Sequence, residues 1–291
     1  MSRRILVIGA AGRLGASIVD AFADRAVVAH TRSSLDITDA EAVMRAVDAA
    51  APDVIVNCAA FNYVDAAEDK PAEALAVNAL AVRALARAAD SRGATFVHYG
   101  TDFVFDGETA HPYTEEAAPA PRSVYAASKL LGEWFALDVP RGFVLRVESL
   151  FGAPAGWTGR PATLDGIMGR IERGETVPVF TDRVVSPSYA PDVAAATRHL
   201  IDASAAPGLY HCVNTGHAAW AEIAQECVRL LRLPARLEPI TLRSHPLPAS
   251  RPRFCALSNA KLAATGFVMP TWEHALQRWM AARQGPAGTL Q

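Results

Sequence analysis

The chain is poor in cysteine. Cys58, Cys212, Cys227 and Cys255 are the four in 291 residues, and they lie far apart with no CxxC pair. That spacing excludes a zinc ribbon and a disulfide framework, predicts no metal site, and suits a reducing, cytoplasmic compartment. Long apolar runs are missing as well: no stretch of about eighteen such residues occurs, so no membrane-spanning helix is expected. Arg3 and Arg4 followed by ILVIGAAG have the look of a short signal peptide, but Arg13 interrupts the run and the glycines account for it better. An excess of one charge is also absent; a formal net charge of -2 leaves no electrostatic footprint for nucleic acid. Neither an internal repeat nor a low-complexity domain is present. With 51% hydrophobic and 20% charged residues, most of the chain is not disordered, and its length can bury a sizeable core.

What is present begins at residues 4–8, a short apolar run of the kind buried parallel strands show. Gly9, Gly12 and Gly15 follow, with Arg13 and Leu14 between them, and the next residues, ASIVDAFA, have helical periodicity. Strand, glycine turn and helix together form the context of a dinucleotide site, because glycine lets backbone N–H groups approach a pyrophosphate at the helix's positive end. The spacing is GxxGxxG, and the plainer reading is a strand-to-helix turn with no ligand. A second strand is expected at residues 26–30. About 20 residues past the glycines, an acidic residue would take the 2′-hydroxyl of NAD, whereas an arginine suits the 2′-phosphate of NADP. Arg32 stands there, with no carboxylate before Asp36. Together with Arg13 it would clamp a dianionic phosphate, which favours NADPH, with NADH as the alternative. Both arginines are otherwise ordinary solvated side chains.

Residues 41–51 read as a helix, residues 53–57 as a third buried strand, and most of the segment from Asn57 to about residue 90 as one long, alanine-rich helix. Asn78 within it is either exposed or bonded to backbone beneath a site. Residues 94–99 form the next strand, whose carboxyl end carries Thr101 and Asp102, the end at which ligands bind in open α/β sheets. Thr101 can donate a hydroxyl there; alternatively the two residues make a local turn.

The run YAASK at 125–129 then places a tyrosine and a lysine four apart, on one face of a helix. A phenol titrates near ~10 in water. A neighbouring cation favours the phenolate, so Tyr125 beside Lys129 can pass a proton as a general acid for carbonyl reduction. Alone, such a pair is more often one amphipathic side chain lying on another. Downstream, residues 216–233 read as an amphipathic helix for core packing, and residues 240–254 are too proline-rich for helix. In that segment Arg243, His245, Arg251 and Arg253 either attract a diphosphate or are simply exposed. Residues 258–284 read as a capped turn and helix, and GPAGTLQ at the end as a frayed tail.

Taken together, GxxGxxG, NCAA at 57–60, TDFVFDG at 101–107 and YAASK at 125–129 resemble the extended short-chain dehydrogenase/reductases. LDITD at 35–39, NCAAFNYVDAAED, VFTDRVVSPSYAPDVA, GLYHCVN and SNAKLAATGF narrow the resemblance to the dTDP-4-dehydrorhamnose reductase family, over nearly the whole chain. It implies an α/β, Rossmann-type doubly wound parallel sheet with a smaller, interleaved C-terminal substrate-binding lobe. Residues 1–150 and about 182–215 would bind the dinucleotide; about 151–181 and 216–291 would form the lobe. The implied activity is NADPH-dependent reduction of the 4-keto group of a nucleotide-linked 6-deoxy sugar, with Thr101, Tyr125 and Lys129 catalytic. Gly9, Gly12 and Gly15 match the family's pyrophosphate turn, Asp36 and Ile37 its adenine contacts, and Cys58, Ala59 and Ala60 its nicotinamide-ribose loop. Homodimers are common among related enzymes.

The departures concern the sugar. The family's TDYVFDG and RTSWVYG appear as TDFVFDG and RVESLFG. Phe103 and Leu150 lack the phenol and the indole, and Glu148 adds a carboxylate where serine is usual. A reductase or epimerase for another nucleotide-linked substrate, or a non-catalytic NADP-binding subunit, are the alternatives.

Overall fold

Six short strands lie side by side, all parallel: β1 (Ile5–Ile8), β2 (Val27–His30), β3 (Val54–Asn57), β4 (Thr95–Thr101), β5 (Gly142–Val147) and β6 (Gly208–His211). Their order across the sheet is β6-β5-β4-β3-β1-β2. The computed structural model describes residues 3–284, so the GPAGTLQ tail lies outside the described residues.

Each central strand is apolar on both sides because helices cover both sides. Ile5, Val7, Val54, Val56, Val97, Phe143 and Leu145 point to one face, under helix α1 (Arg13–Ala21) and the helix Ala190–Asp202. Leu6, Ile8, Ile55, Phe96 and Val144 point to the other, under α2 (Ala40–Ala50) and α3 (Ala81–Ser91). Helix α4 (Val124–Leu137) joins that second layer through Ala136. The alternation follows from the two-residue repeat of a strand.

The long helix expected between β3 and β4 is broken. Ala66–Asp69 stops before Pro71, Pro71–Leu75 follows, and one wide π turn, Ala76–Leu80, leads into α3. Proline lacks the N–H that would continue the first piece. The π turn carries Asn78 inward, and single π turns recur at functional sites.

A second core gathers residues distant in sequence. Leu164, Ile167, Met168 and Ile171 of the helix Thr163–Glu172 pack with Trp220 and Ile223 of Trp220–Leu231 and with Trp272 and Trp279 of Trp272–Gln284. A parallel strand pair, Thr176–Phe180 with Arg236–Ile240, contributes Val177 and Val179. Val185 and Tyr189 belong to this core by packing, and Leu150–Phe151 pairs with Ser188–Tyr189 where the cores meet.

Candidate active site

The order of strands reverses between β1 and β3, and the crevice beyond their carboxyl ends is where such sheets bind ligands. Gly9 turns there with φ +78°, and a Cβ on it would meet the Ala59 nitrogen at 2.7 Å; one on Gly15 would come within 2.2 Å of the Gly9 oxygen. Gly12 is the N-cap of α1 and offers no capping side chain, which leaves the first N–H groups of the helix for a ligand. Glycine at these positions, with uncapped donors beside it, fits a pyrophosphate.

The neighbouring groups are divided differently from the sequence expectation. Arg32 is exposed at the end of β2, as a phosphate ligand requires. Arg13 is not beside it in a clamp: its guanidinium is bonded to Asp165 at 2.5 Å and to the Gly152 carbonyl at 3.1 Å, and it lies 4.6 Å over the Trp157 ring. Leu14 and Ile37 are buried in the core. The Asp36 carboxylate accepts from the Thr38 hydroxyl and N–H, which hold it below the ordinary carboxylate range. Both bonds go to Asp36 Oδ1, and the residue is exposed beside the buried Ile37.

The loop after β3, carrying Cys58, Ala59 and Ala60, is pinned from both ends. Asn57 accepts from the Ala59 N–H at 3.1 Å. Asn78 exchanges two bonds with the Phe61 backbone, at 2.8 and 3.1 Å, and donates to Ser128 at 3.0 Å. The two alternatives for Asn78 are thereby resolved: it is 1% exposed and ties the loop to α4.

Ser123 caps α4 by accepting from Ala126, and the helix then presents Tyr125, Lys129 and Glu133 on one buried face. Thr101 and Asp102 end β4 against it. The Lys129 amine donates to the Tyr99 carbonyl at 2.5 Å, and burial lowers its pKa to about 8, against the pull of Glu133. The Tyr125 phenol behaves opposite to the sequence expectation. Burial pushes its pKa up, the Asp102 carboxyl adds to this, and the Thr101 hydroxyl opposes it. Desolvation dominates, so Tyr125 holds its proton more tightly than a free phenol.

Beside this set lies an ion pair that the sequence reading passed over. Glu133 forms a buried ion pair with Arg146, N–O 2.8 Å, and accepts from the Thr101 N–H at 3.3 Å, so the pair braces the end of β4. Glu133 follows Lys129 by four residues, a signal for the same helix face, but nothing in the sequence pairs it with Arg146. Phe103 sits edge-on to Tyr125 with ring centres 5.7 Å apart, and Arg251 lies 5.7 Å over Phe103 while paired with Asp65 at 2.8 Å. Of the four basic residues in the proline-rich segment, Arg251 reaches this site. Arg243 is exposed, Arg253 is exposed near Asp182, and His245 packs on Phe180.

Glu148 is 2% exposed and accepts from the Ser186 N–H at 2.6 Å. Counted letter by letter from Arg146 to Gly152, the tryptophan of RTSWVYG falls on Ser149, in left-handed conformation with φ 45°. The missing indole is therefore at Ser149; Leu150 pairs with Ser188 between the two cores.

A parallel sheet with a glycine turn at its switch point, and a hydroxyl, a phenol and an amine assembled at the end of β4, define a Rossmann-fold NAD(P)-dependent oxidoreductase of the short-chain type. Within that class the chain belongs to the RmlD substrate binding domain family, whose model matches residues 3–284. It is 39% identical to the dTDP-4-dehydrorhamnose reductase of Streptomyces griseus, over 98% of this chain and 95% of that one. It is 36% identical to a probable dTDP-4,6-dihydroxy-2-methyloxan-3-one 4-ketoreductase of Streptomyces antibioticus, over 94% and 93%. The crystal structure of a Bacillus anthracis dTDP-4-dehydrorhamnose reductase in complex with NADP superposes with a TM-score of 0.91 at 29% identity, covering 97% of this chain and 99% of that one. Among the described residues, no helix is long and apolar enough to cross a membrane.

Proposed function

We propose that the protein reduces, with NADPH, the 4-keto group of a nucleotide-linked 6-deoxy sugar, in the manner of a dTDP-4-dehydrorhamnose reductase. The observation that carries this is the convergence of Thr101, Tyr125 and Lys129 at the carboxyl end of β4, in the crevice that the glycine turn opens. NADPH, when bound, supplies the hydride. Gly9, Gly12 and Gly15 admit its pyrophosphate, Arg32 takes the 2′-phosphate, and the 58–60 loop, pinned by Asn57 and Asn78, supports the nicotinamide end. Tyr125 gives its proton to the alkoxide oxygen as that oxygen forms, and Thr101 donates a hydrogen bond to the same atom. Lys129, with its lowered pKa of about 8, lies one helical turn from Tyr125 and serves to hold the cofactor ribose and return the proton. General acid catalysis is worth about 10²–10⁴-fold, so orientation by the buried walls supplies much of the rest.

The lobe of residues 151–181 and 216–284 is where the nucleotide of the substrate would lie, with Asp102, Phe103 and Arg251 toward the sugar. Free cysteines and a small-molecule substrate suit the cytoplasm. Loss of NADPH absorbance on mixing with dTDP-4-dehydrorhamnose generated in place, repeated with NADH, tests the reading; no oxidation by either would sink it for that sugar. A second reading, reduction of a different nucleotide-linked ketose, is favoured by Phe103, Glu148 and Ser149, and a panel of such substrates separates the two.

A further inference from the structure

Between the two cores the chain forms a strap. After Leu150–Phe151 it runs through residues 152–162, APAGWTGRP among them, before the helix Thr163–Glu172 begins. The strap is fastened to the glycine turn at three points. The Trp157 indole donates to the Ala11 carbonyl at 3.0 Å, and Arg13, the first residue of α1, donates to the carbonyls of Gly152 and Arg160 at 3.1 and 3.3 Å. Gly159 bends tightly against the same indole, where a Cβ would come within 2.1 Å of the ring. The next side chain, Arg160, leaves the turn and reaches the opposite wall of the crevice. Its guanidinium lies 4.3 Å over the ring of Tyr63, which is half exposed and belongs to the loop after β3. Phe61, edge-on to Tyr63 with ring centres 5.6 Å apart, is held through its backbone by Asn78. Arg160 is thus tied by its carbonyl to one wall and seated by its side chain on the other.

A guanidinium stacked on a ring uses its face and keeps the N–H groups along its edge. Arg160 is exposed, and among the described residues its side chain makes no ion pair and no hydrogen bond. Two other guanidiniums near the crevice are already engaged, Arg13 by Asp165 and Arg251 by Asp65. A flat fork of donors, carried beside the uncapped N–H groups of α1, matches phosphate oxygens, which accept bidentate bonds from arginine. We propose that Arg160 is a diphosphate-binding residue: seated on Tyr63, it turns the edge of its guanidinium to a diphosphate lying between the glycine turn and the loop after β3. This rests on the reductase reading above, under which two diphosphates enter the site, that of NADPH and that of the sugar nucleotide. The recognising chemistry is the same for both, and binding measurements separate them.

The test compares wild type with Arg160→Ala, Arg160→Lys and Tyr63→Leu by calorimetric titration of NADPH, thymidine diphosphate and thymidine monophosphate, with the thermal transition recorded for each variant. Arg160→Ala keeps the carbonyl that Arg13 holds, so the strap stays fastened. That variant is expected to bind a diphosphate ligand about tenfold or more weakly, as loss of a charge-assisted bond implies. Arg160→Lys recovers part of the loss, because the charge remains while the fork is gone, and Tyr63→Leu weakens the same ligand by a smaller factor. Weakening of NADPH alone identifies the cofactor's pyrophosphate as the occupant. Weakening of thymidine diphosphate, with the monophosphate little changed, identifies that of the sugar nucleotide; weakening of both places Arg160 between them. Unchanged affinity of Arg160→Ala for every diphosphate that wild type binds would overturn the proposal. So would an equal loss of all three ligands together with a lowered thermal transition, the mark of a purely structural clasp. If wild type binds these ligands but oxidises NADPH with none of a panel of sugar nucleotides, the reductase reading fails instead, and the titrations still decide the role of Arg160. Wild type that binds neither diphosphate would sink both.

Discussion

At the scale of single residues, the site is governed by desolvation. Tyr125 lies 8% exposed on α4 against the edge of Phe103, and its proton stays on because a phenolate there would be stripped of water. Lys129, equally dry, shifts the other way and comes within reach of neutral pH. A neutral acid beside an amine of lowered pKa suits proton donation to an alkoxide. Replacing Tyr125 by Phe should therefore cut turnover by about a hundredfold or more while NADPH still binds, measured by steady-state kinetics and by titration of cofactor fluorescence. Wild-type turnover in that variant would remove Tyr125 from the acid role. Arg32 is exposed and Arg13 is bonded to Asp165, so under the proposed reading Arg32 is the residue that would take the 2′-phosphate. Arg32→Ala should weaken NADPH about tenfold or more and leave NADH nearly unchanged, as loss of a charge-assisted hydrogen bond implies. Equal weakening of both cofactors would show that Arg32 does not read the 2′-phosphate.

At the scale of elements, the glycine turn and α4 were legible in the sequence because their signals are local. Gly9 needs a positive φ, Gly15 needs room against the Gly9 carbonyl, and Ser123 followed by an apolar periodic run marks where a helix begins. Gly15→Ala would force its Cβ into the Gly9 oxygen, at a cost of about 1–3 kcal/mol and with loss of NADPH affinity. Calorimetry and cofactor titration would check this, and a variant that is stable and binds normally would mean the turn has another geometry. The segment between β3 and β4 was less legible. Its alanines suggest one long helix, yet Pro71 interrupts it, and the π turn at Ala76–Leu80 lets Asn78 turn inward and gain three hydrogen bonds, the one to Ser128 fully buried. That gain depends on Phe61 and Ser128, which local propensity does not register.

At the scale of the whole molecule, two cores meet at the site. The sheet core carries the glycine turn, and the second core carries Asp165, which holds Arg13, while Trp157 donates to the Ala11 carbonyl at 3.0 Å. Binding NADPH to the folded state alone should stabilise the protein by about 2.7 kcal/mol at a hundredfold excess over Kd, read as an upward shift of the thermal transition. A transition unmoved by saturating NADPH, with NADH equally inert, would argue against a dinucleotide site.

The sequence by itself determined the first four strands, the glycine turn, the helix bearing Tyr125 and Lys129, and the membership of a family, since each rests on residue type and short-range spacing. Only the tertiary structure decided that Arg13 bonds Asp165, that Glu133 meets Arg146, and that Tyr125 holds its proton more tightly than a free phenol. It alone set Asp102, Glu148 and Cys255 face to face. The reason is physical: ion pairing and pKa depend on distance and on exclusion of water, and both are properties of packing between segments remote in sequence.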